Sequence, residues 1–202
     1  MTDDIMNFDL PVERSSIIKV LGIGGGGNNA VNHMFERGIK DVNFVVCNTD
    51  HQALAKSPVP VKVQIGESIT EGRGAGSKPE IGRQAALENL EDVMAGLSGN
   101  TKMVFLTTGM GGGTGTGAAP VLARIARQQG ALVIAMVTTP FHVERKRIFI
   151  AEEGLEDLRN YANTSIVMDN NRLLQSAPHL PFQEAFSLVD GLAGEIIQGI
   201  CE

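Results

Sequence analysis

Residues 109–117 read Gly109-Met110-Gly111-Gly112-Gly113-Thr114-Gly115-Thr116-Gly117, and they run straight into a helical pattern from Ala118 to Gln129. The run before them, Met103–Leu106, is apolar and of strand length. A strand that empties through glycine into a helix leaves backbone N–H groups open at a helix N-terminus, where anions bind. The same arrangement occurs earlier in the chain. Ile17–Leu21 leads through Gly22-Ile23-Gly24-Gly25-Gly26-Gly27-Asn28-Asn29 into a helical pattern over Asn28–Arg37, with Ala30, Val31, Met34 and Phe35 on one face. The 24 glycines gather around 22–27, 72–76 and 109–117, so glycine is used here for backbone geometry.

Working outward from these loops, further short β-branched runs recur at Asn43–Cys47, Val61–Ile65, Leu132–Val137 and Ser165–Met168. None alternates strictly between apolar and polar, which is how strands covered on both faces read. Helical patterns over Pro79–Gly96 and Arg147–Asn160 complete an alternation of strand and helix. The expected fold class is therefore α/β, a doubly wound parallel sheet with helices on both faces. Local punctuation agrees: Ser77-Lys78-Pro79-Glu80 offers a Ser cap with Pro in the first turn, and Gly38 and Gly130 stand where helices should end. A last stripe of Phe182, Phe186, Val189, Ala193, Ile196, Ile197 and Ile200 predicts a long, largely buried helix. The sequence ends just after it at Cys201-Glu202 without a capping signal, which suggests a chain cut before a further domain.

Composition narrows the function classes. The 202 residues are 43% hydrophobic, enough for a full core, and the net charge is −6. Arg145-Lys146-Arg147 is the one compact basic cluster, so neither nucleic acid nor an anionic membrane is an expected partner. The acidic start MTDDIMNFDL does not read as a secretory signal, and the expected location is cytoplasmic. Cys47 and Cys201 lie far apart and read as reduced structural thiols. His33, His51, His142 and His179 show no metal-ligand pairing and no Ser-His-acid arrangement, and core or surface roles are expected for all four.

The first loop alone satisfies G-x-G-x-x-G, and Asp50 near the end of the second strand stands where a dinucleotide fold keeps its ribose acid. A nicotinamide-dependent oxidoreductase is thus one reading, and a nucleotide-free structural module is another. The second glycine loop weighs against the first of these, because a single pyrophosphate has no need of two cradles, whereas a triphosphate could use both, with Thr114 or Thr116 adding a hydroxyl. No Lys follows either loop, so neither is a Walker motif, and backbone donors together with Mg²⁺ must carry the phosphate charge. Asp50 reads first as a helix cap and second as a group that steers Mg²⁺ through water.

GGGTGTG, GIGGGGNNAVN, CNTDHQAL, GRGAGSKPEIGR and the DNNRLL segment resemble, in order and spacing, the nucleotide-site loops of the tubulin/FtsZ GTPase family, and the resemblance runs from about Lys19 to the end. It implies that Gly25, Gly26, Gly27, Asn28 and Asn29 meet phosphates at the first loop and that Gly112, Gly113, Thr114 and Gly115 hold the β- and γ-phosphates. It places Glu144 and Arg147 at the ribose, Asn170 at sugar and base, and Phe186 with Asp190 at the base. Phe186 and Asp190 are four apart on a helix and so share a face. An aromatic ring there can stack on a purine. A carboxylate can accept from N1–H and N2–H₂ of guanine, while adenine would face it with an unpaired acceptor.

The loop from Glu144 to Arg147 is one residue shorter than the family pattern and lacks its glycine, which leaves Arg145 or Lys146 as alternatives to Arg147. The resemblance further implies a GTP- and GDP-binding protein of bacterial FtsZ type that assembles head to tail into division-ring filaments, meets division-ring partner proteins, and hydrolyses GTP between subunits. The expected organisation is a flexible tail over residues 1–14, a GTP-binding domain over 15–181 and a core helix over 182–202, without the C-terminal activation domain. The acidic loop that positions water is expected after Glu202, so no catalytic residue is expected within the chain and little hydrolysis by it alone.

Overall fold

All six apolar runs become strands, the inner four largely buried on both faces and the two at the sheet edges partly exposed. The structure, a computed structural model, describes residues 16–176 and 182–201; the expected tail over 1–14, His179 and Glu202 lie outside the described residues. The elements follow in order as β1 Ile18–Ile23, α1 Gly24–Glu36, β2 Asn43–Asn48, α2 His51–Lys56, β3 Val61–Gln64, α3 Glu67–Thr70, α4 Pro79–Glu88 and α5 Leu90–Gly96. Then come β4 Met103–Gly109, α6 Thr114–Gln128, β5 Leu132–Thr139, a 3-10 turn at His142–Glu144, α7 Lys146–Arg159, β6 Thr164–Asp169, α8 Asn170–Ser176 and α9 Phe182–Cys201.

The sheet runs β3-β2-β1-β4-β5-β6 with every neighbour parallel. The chain therefore reverses its direction of travel across the sheet between β1 and β4, and the crevice beyond their carboxyl ends is where ligands bind in such folds. Register makes this concrete: Gly22 pairs with Thr107 and Ile23 with Thr108, so the two glycine loops leave the sheet side by side.

Leu21, Ile23, Leu106 and Ala135 face one core with Leu122 of α6 and Leu158 of α7, while Val20, Phe105 and Met136 face another with Val31 and Met34 of α1 and Ala193 and Ile197 of α9. Each fully buried side chain of this size contributes roughly 1.5–3 kcal/mol. Covering both faces removes the alternation a half-exposed strand would show.

Several boundaries differ from expectation. Both α1 and α6 begin four residues early, inside the glycine loops, because packing against the neighbouring strand outweighs the poor helix propensity of glycine. The Pro79–Gly96 pattern breaks at Asn89, whose φ of −114° and ψ of 37° leave the helical region while its Oδ1 accepts the Gly66 N–H at 2.8 Å. Lys78, not Ser77, is the N-cap of α4; Ser77 sits at φ 59° in the turn before it and does not cap the helix. The short α2 and α3 carry too few residues for periodicity to be read. Gly38 and Gly130 do end α1 and α6 in left-handed conformations. The last helix is only half covered: Val189, Ala193 and Ile197 are buried, whereas Leu188, Leu192 and Ile200 are exposed.

Candidate functional site

The two glycine loops approach so closely that no side chain fits between them. Gly24 has φ +69°, and a Cβ there would stand 2.8 Å from the Gly115 nitrogen. Gly25 and Gly112, one on each loop, face open space instead. Neither α1 nor α6 has a side-chain cap or an acidic residue in its first turn. Free N–H groups and the positive ends of two helix dipoles are thus left pointing at one volume, an arrangement complementary to phosphate.

That volume is a cavity of about 780 Å³. Of the residues expected at the site, Gly25, Gly26, Asn29, Gly112, Gly113, Thr114, Gly115, Glu144, Arg147, Asn170, Phe186 and Asp190 line it. Gly27 and Asn28 stand behind that lining. A Cβ on Gly27 would stand 2.2 Å from the Thr107 carbonyl oxygen, so this glycine lets α1 lie on β4. The Asn28 amide, assigned with its nitrogen towards three carbonyls, donates to Gly22 at 3.0 Å, Cys47 at 3.1 Å and Gly24 at 3.1 Å and accepts from Asn48 Nδ2 at 3.1 Å. Asn28 is the staple that holds the first loop to β1 and β2.

The two threonines separate in the same way. Thr116 Oγ1 accepts the Gly111 N–H at 2.9 Å and fixes the second loop from within. Thr114 lines the cavity, with its hydroxyl 2.6 Å from that of Thr49. Asp50 caps α2 by accepting the Ala53 N–H at 3.0 Å, so its carboxylate is not held out for a ribose. Among the described residues no group of His, Cys, Asp and Glu side chains is placed to hold a metal ion.

Beyond the glycines, the 3-10 turn carries Glu144, which accepts the Phe141 N–H at 3.1 Å through Oε1 and binds Arg147 Nη1 at 2.7 Å through Oε2. Gly111, at φ +94°, gives Arg147 its place, since a Cβ there would meet the Arg147 carbonyl oxygen at 2.8 Å. Arg145 absorbs the missing glycine with φ 20°, and neither it nor Lys146 lines the cavity. The shortened loop therefore still turns Arg147 inward.

At the far end, α9 presents Phe186 and Asp190 on one face. Phe186 is 48% exposed and leans an edge on Phe141, with centroids 5.4 Å apart at 79°. Burial pushes the Asp190 carboxyl up to about 6. Asn170 is 4% exposed, and its Oδ1 has no hydrogen-bond partner among the described residues. Buried acceptors of this kind are costly unless a donor arrives. Three further side chains of α1, Asn32, His33 and Glu36, line the same cavity. The sequence reading assigned His33 to core or surface. The available signal was its spacing, since 29, 32, 33 and 36 share one helical face with the expected Asn29.

A profile of the Tubulin/FtsZ family, GTPase domain, matches residues 17–178. Cell division protein FtsZ 2 of Haloferax volcanii is 48% identical over 185 residues, covering 92% of this chain and 46% of that protein. Its namesake in Halobacterium salinarum is also 48% identical, with 47% of its length covered. Among solved structures, the FtsZ dimer, empty, of M. jannaschii superposes with a TM-score of 0.86 at 40% identity, covering 93% of this chain and 54% of that one. CetZ2 from Haloferax volcanii, solved as a GTPgS bound protofilament, has a TM-score of 0.77 at 23% identity and shares the fold, covering 91% of this chain and 57% of that one. The chain spans about half the length of the relatives it matches, and these relatives are archaeal rather than bacterial.

Proposed function

Because this chain belongs to the Tubulin/FtsZ family, we propose that its cavity binds GTP and GDP and that the protein works as a polymerising division GTPase. The observation that carries the reading is one cavity with two uncapped helix N-termini at one end and Phe186 with Asp190 at the other. The loops at Gly25–Gly26 and Gly112–Gly115 would take the phosphates through backbone N–H groups, with the Thr114 hydroxyl as an added donor. Glu144, Arg147 and Asn170 also line the cavity and would suit a ribose and its neighbouring phosphate.

Magnesium would arrive on the nucleotide. With no protein cage among the described residues, the donor set fits an ion held by phosphate oxygens and water, where it would neutralise charge. Asp50 keeps its role as a cap.

The carboxylates that line the cavity are Glu36, Glu144 and Asp190. Glu144 is engaged by the Phe141 N–H and by Arg147, and Asp190 stands at the base end with Phe186. Orientation of the attacking water would then fall to groups outside this cavity, contributed between subunits of a head-to-tail filament. Binding by the chain alone would greatly exceed its turnover. The relatives' names support a place in cell division, and the role we propose is in a cytoplasmic mid-cell ring with its partner proteins. Titration of the chain with GTP, GDP, ATP and NAD is the test. Tight GTP and GDP binding with ATP roughly 100-fold weaker is expected, and exclusive NAD binding would overturn the reading.

A further inference from the structure

The turn that carries Glu144 and Arg147 has little packing of its own. Pro140 and Phe141 are buried and Glu144 is half-buried, but His142 and Arg145 are exposed and Val143 is 77% exposed. Its backbone is strained as well, with Arg145 at φ 20° in a loop that contains no glycine. Strain of this kind persists only where the surroundings over-determine it. On one side Gly111 supplies the constraint by letting the Arg147 backbone come close.

On the other side the constraint is a polar tie from the end of β6. Asn171, at the start of α8, donates through Nδ2 to the Pro140 carbonyl at 3.2 Å and accepts the His142 N–H through Oδ1 at 2.8 Å. The same Nδ2 donates to Asp169 Oδ1 at 2.9 Å, and the Asn171 N–H donates to that oxygen at 2.9 Å. Burial raises the Asp169 carboxyl, but the two bonds from Asn171, with His142 and Arg172 nearby, outweigh it and hold the group below its ordinary value. Asp169 is thus an ionised acceptor at neutral pH.

Every partner of the Asn171 side chain has a fixed polarity, since a carbonyl and a carboxylate accept and a backbone N–H donates. An amide meets all three in a single orientation, with two N–H donors on one side and an acceptor on the other. A carboxylate at this position would turn acceptors on Pro140 and Asp169. Phe141 stands between the two residues that Asn171 holds, and it passes the constraint on: its carbonyl accepts the Glu144 N–H at 2.9 Å, and its N–H donates to Glu144 Oε1 at 3.1 Å. Glu144 Oε2 then holds Arg147 Nη1 at 2.7 Å.

Resting on the guanine-nucleotide reading above, we infer that Asn171 is a positioning residue, which clamps Pro140 and His142 and so sets the Glu144–Arg147 pair against the bound nucleotide. The two adjacent asparagines divide their work: Asn170 lines the cavity, and Asn171 stands outside that lining and acts through Arg147.

The test is a double-substitution cycle, read by calorimetric titration with GTP, on the native chain, Asn171→Ala, Arg147→Ala and the two combined, with Asn171→Asp as the isosteric variant. Asn171→Ala should lose about fivefold in GTP affinity, and Asn171→Asp, which keeps the size and inverts the donors, at least as much. Arg147→Ala should lose about tenfold, and adding Asn171→Ala to it should lose less than about twofold more, because the group to be positioned is gone. Melting temperatures are measured in parallel. A role confined to stability would lower them and would weaken GTP equally in both backgrounds. That equal loss would overturn the inference, as would native affinity in either Asn171 variant or in Arg147→Ala. A native chain that failed to bind GTP at all would overturn the guanine-nucleotide reading and this inference with it.

Discussion

The two ends of the cavity are built by different means. The end proposed to take phosphate is made of backbone: glycine loops that leave neighbouring strands in register, with helix N–H groups exposed because no side chain caps them. The purine end is made of side chains, Phe186 and Asp190 from α9 facing Asn29 and His33 from α1, held by helix packing across the second core. On the proposed reading, backbone donors would read charge and be indifferent to the base, and side chains on facing helices would read the base and contribute little to holding phosphate.

The largest break in this comparison should come from Gly24→Ala. Its positive φ and the 2.8 Å approach to the Gly115 nitrogen leave no room for a methyl. Left-handed strain and overpacking together make a loss of roughly 100-fold the expected outcome. The loss should be equal for GTP and ATP in a filter-binding assay. A change in their ratio would show that the phosphate end also reads the base.

Asp190→Asn should act in the opposite sense, lowering GTP affinity by about 50-fold with ATP little changed. The same variant tests the burial of the carboxyl. With a folded pKa of about 6 against about 4 unfolded, the neutral form is favoured by the fold, so native stability falls as pH rises from about 4 through 6 and then levels. Above pH 7 the Asn variant should melt higher by roughly 3–6 °C, from about 1–2 kcal/mol after allowance for partial exposure. The difference should vanish near pH 4. In the native chain, GTP affinity should fall below about pH 6, and Asp190→Asn should not follow it.

Smaller effects lie between the two ends. Asn170→Ala should weaken GTP and ATP alike by three- to tenfold, measured by competition, because Asn170 lines the cavity that both nucleotides would share. Arg145→Gly should leave affinity unchanged and raise the melting temperature by roughly 1–3 °C, since it relaxes the φ of 20° at a residue that does not line the cavity.

How much of this was legible in the sequence follows the same division. The phosphate end could be read directly, because glycine clusters after apolar runs state a backbone geometry. Within the run of glycines the surroundings differ in a way that composition does not state: Gly25 faces the cavity, while Gly27 packs on Thr107 and Asn28 staples the turn. Which glycine serves packing depends on where the neighbouring strand passes, and β4 is some 80 residues away in the chain.

That Phe186 and Asp190 share the face of α9 that lines the cavity was legible through their i, i+4 spacing. The place of His33 was not, because its partner surface is formed by a helix about 150 residues later, and a histidine four residues from Asn29 carries no local mark of that contact. Ser77 was misread as a cap because sequence alone does not state that it adopts φ 59°. The long helix was misjudged as largely buried, since its apolar stripe is wider than the face that α1 covers.

The central claim, a base-blind phosphate cradle joined to a guanine-reading helix pair, is tested most directly by titrating the native chain and Asp190→Ala in parallel with GTP and ATP. The account predicts a GTP preference of roughly 100-fold in the native chain that falls below about tenfold in the variant, almost wholly through loss of GTP affinity. Equal affinities for GTP and ATP in the native chain, or a preference that survives the loss of Asp190, would contradict it.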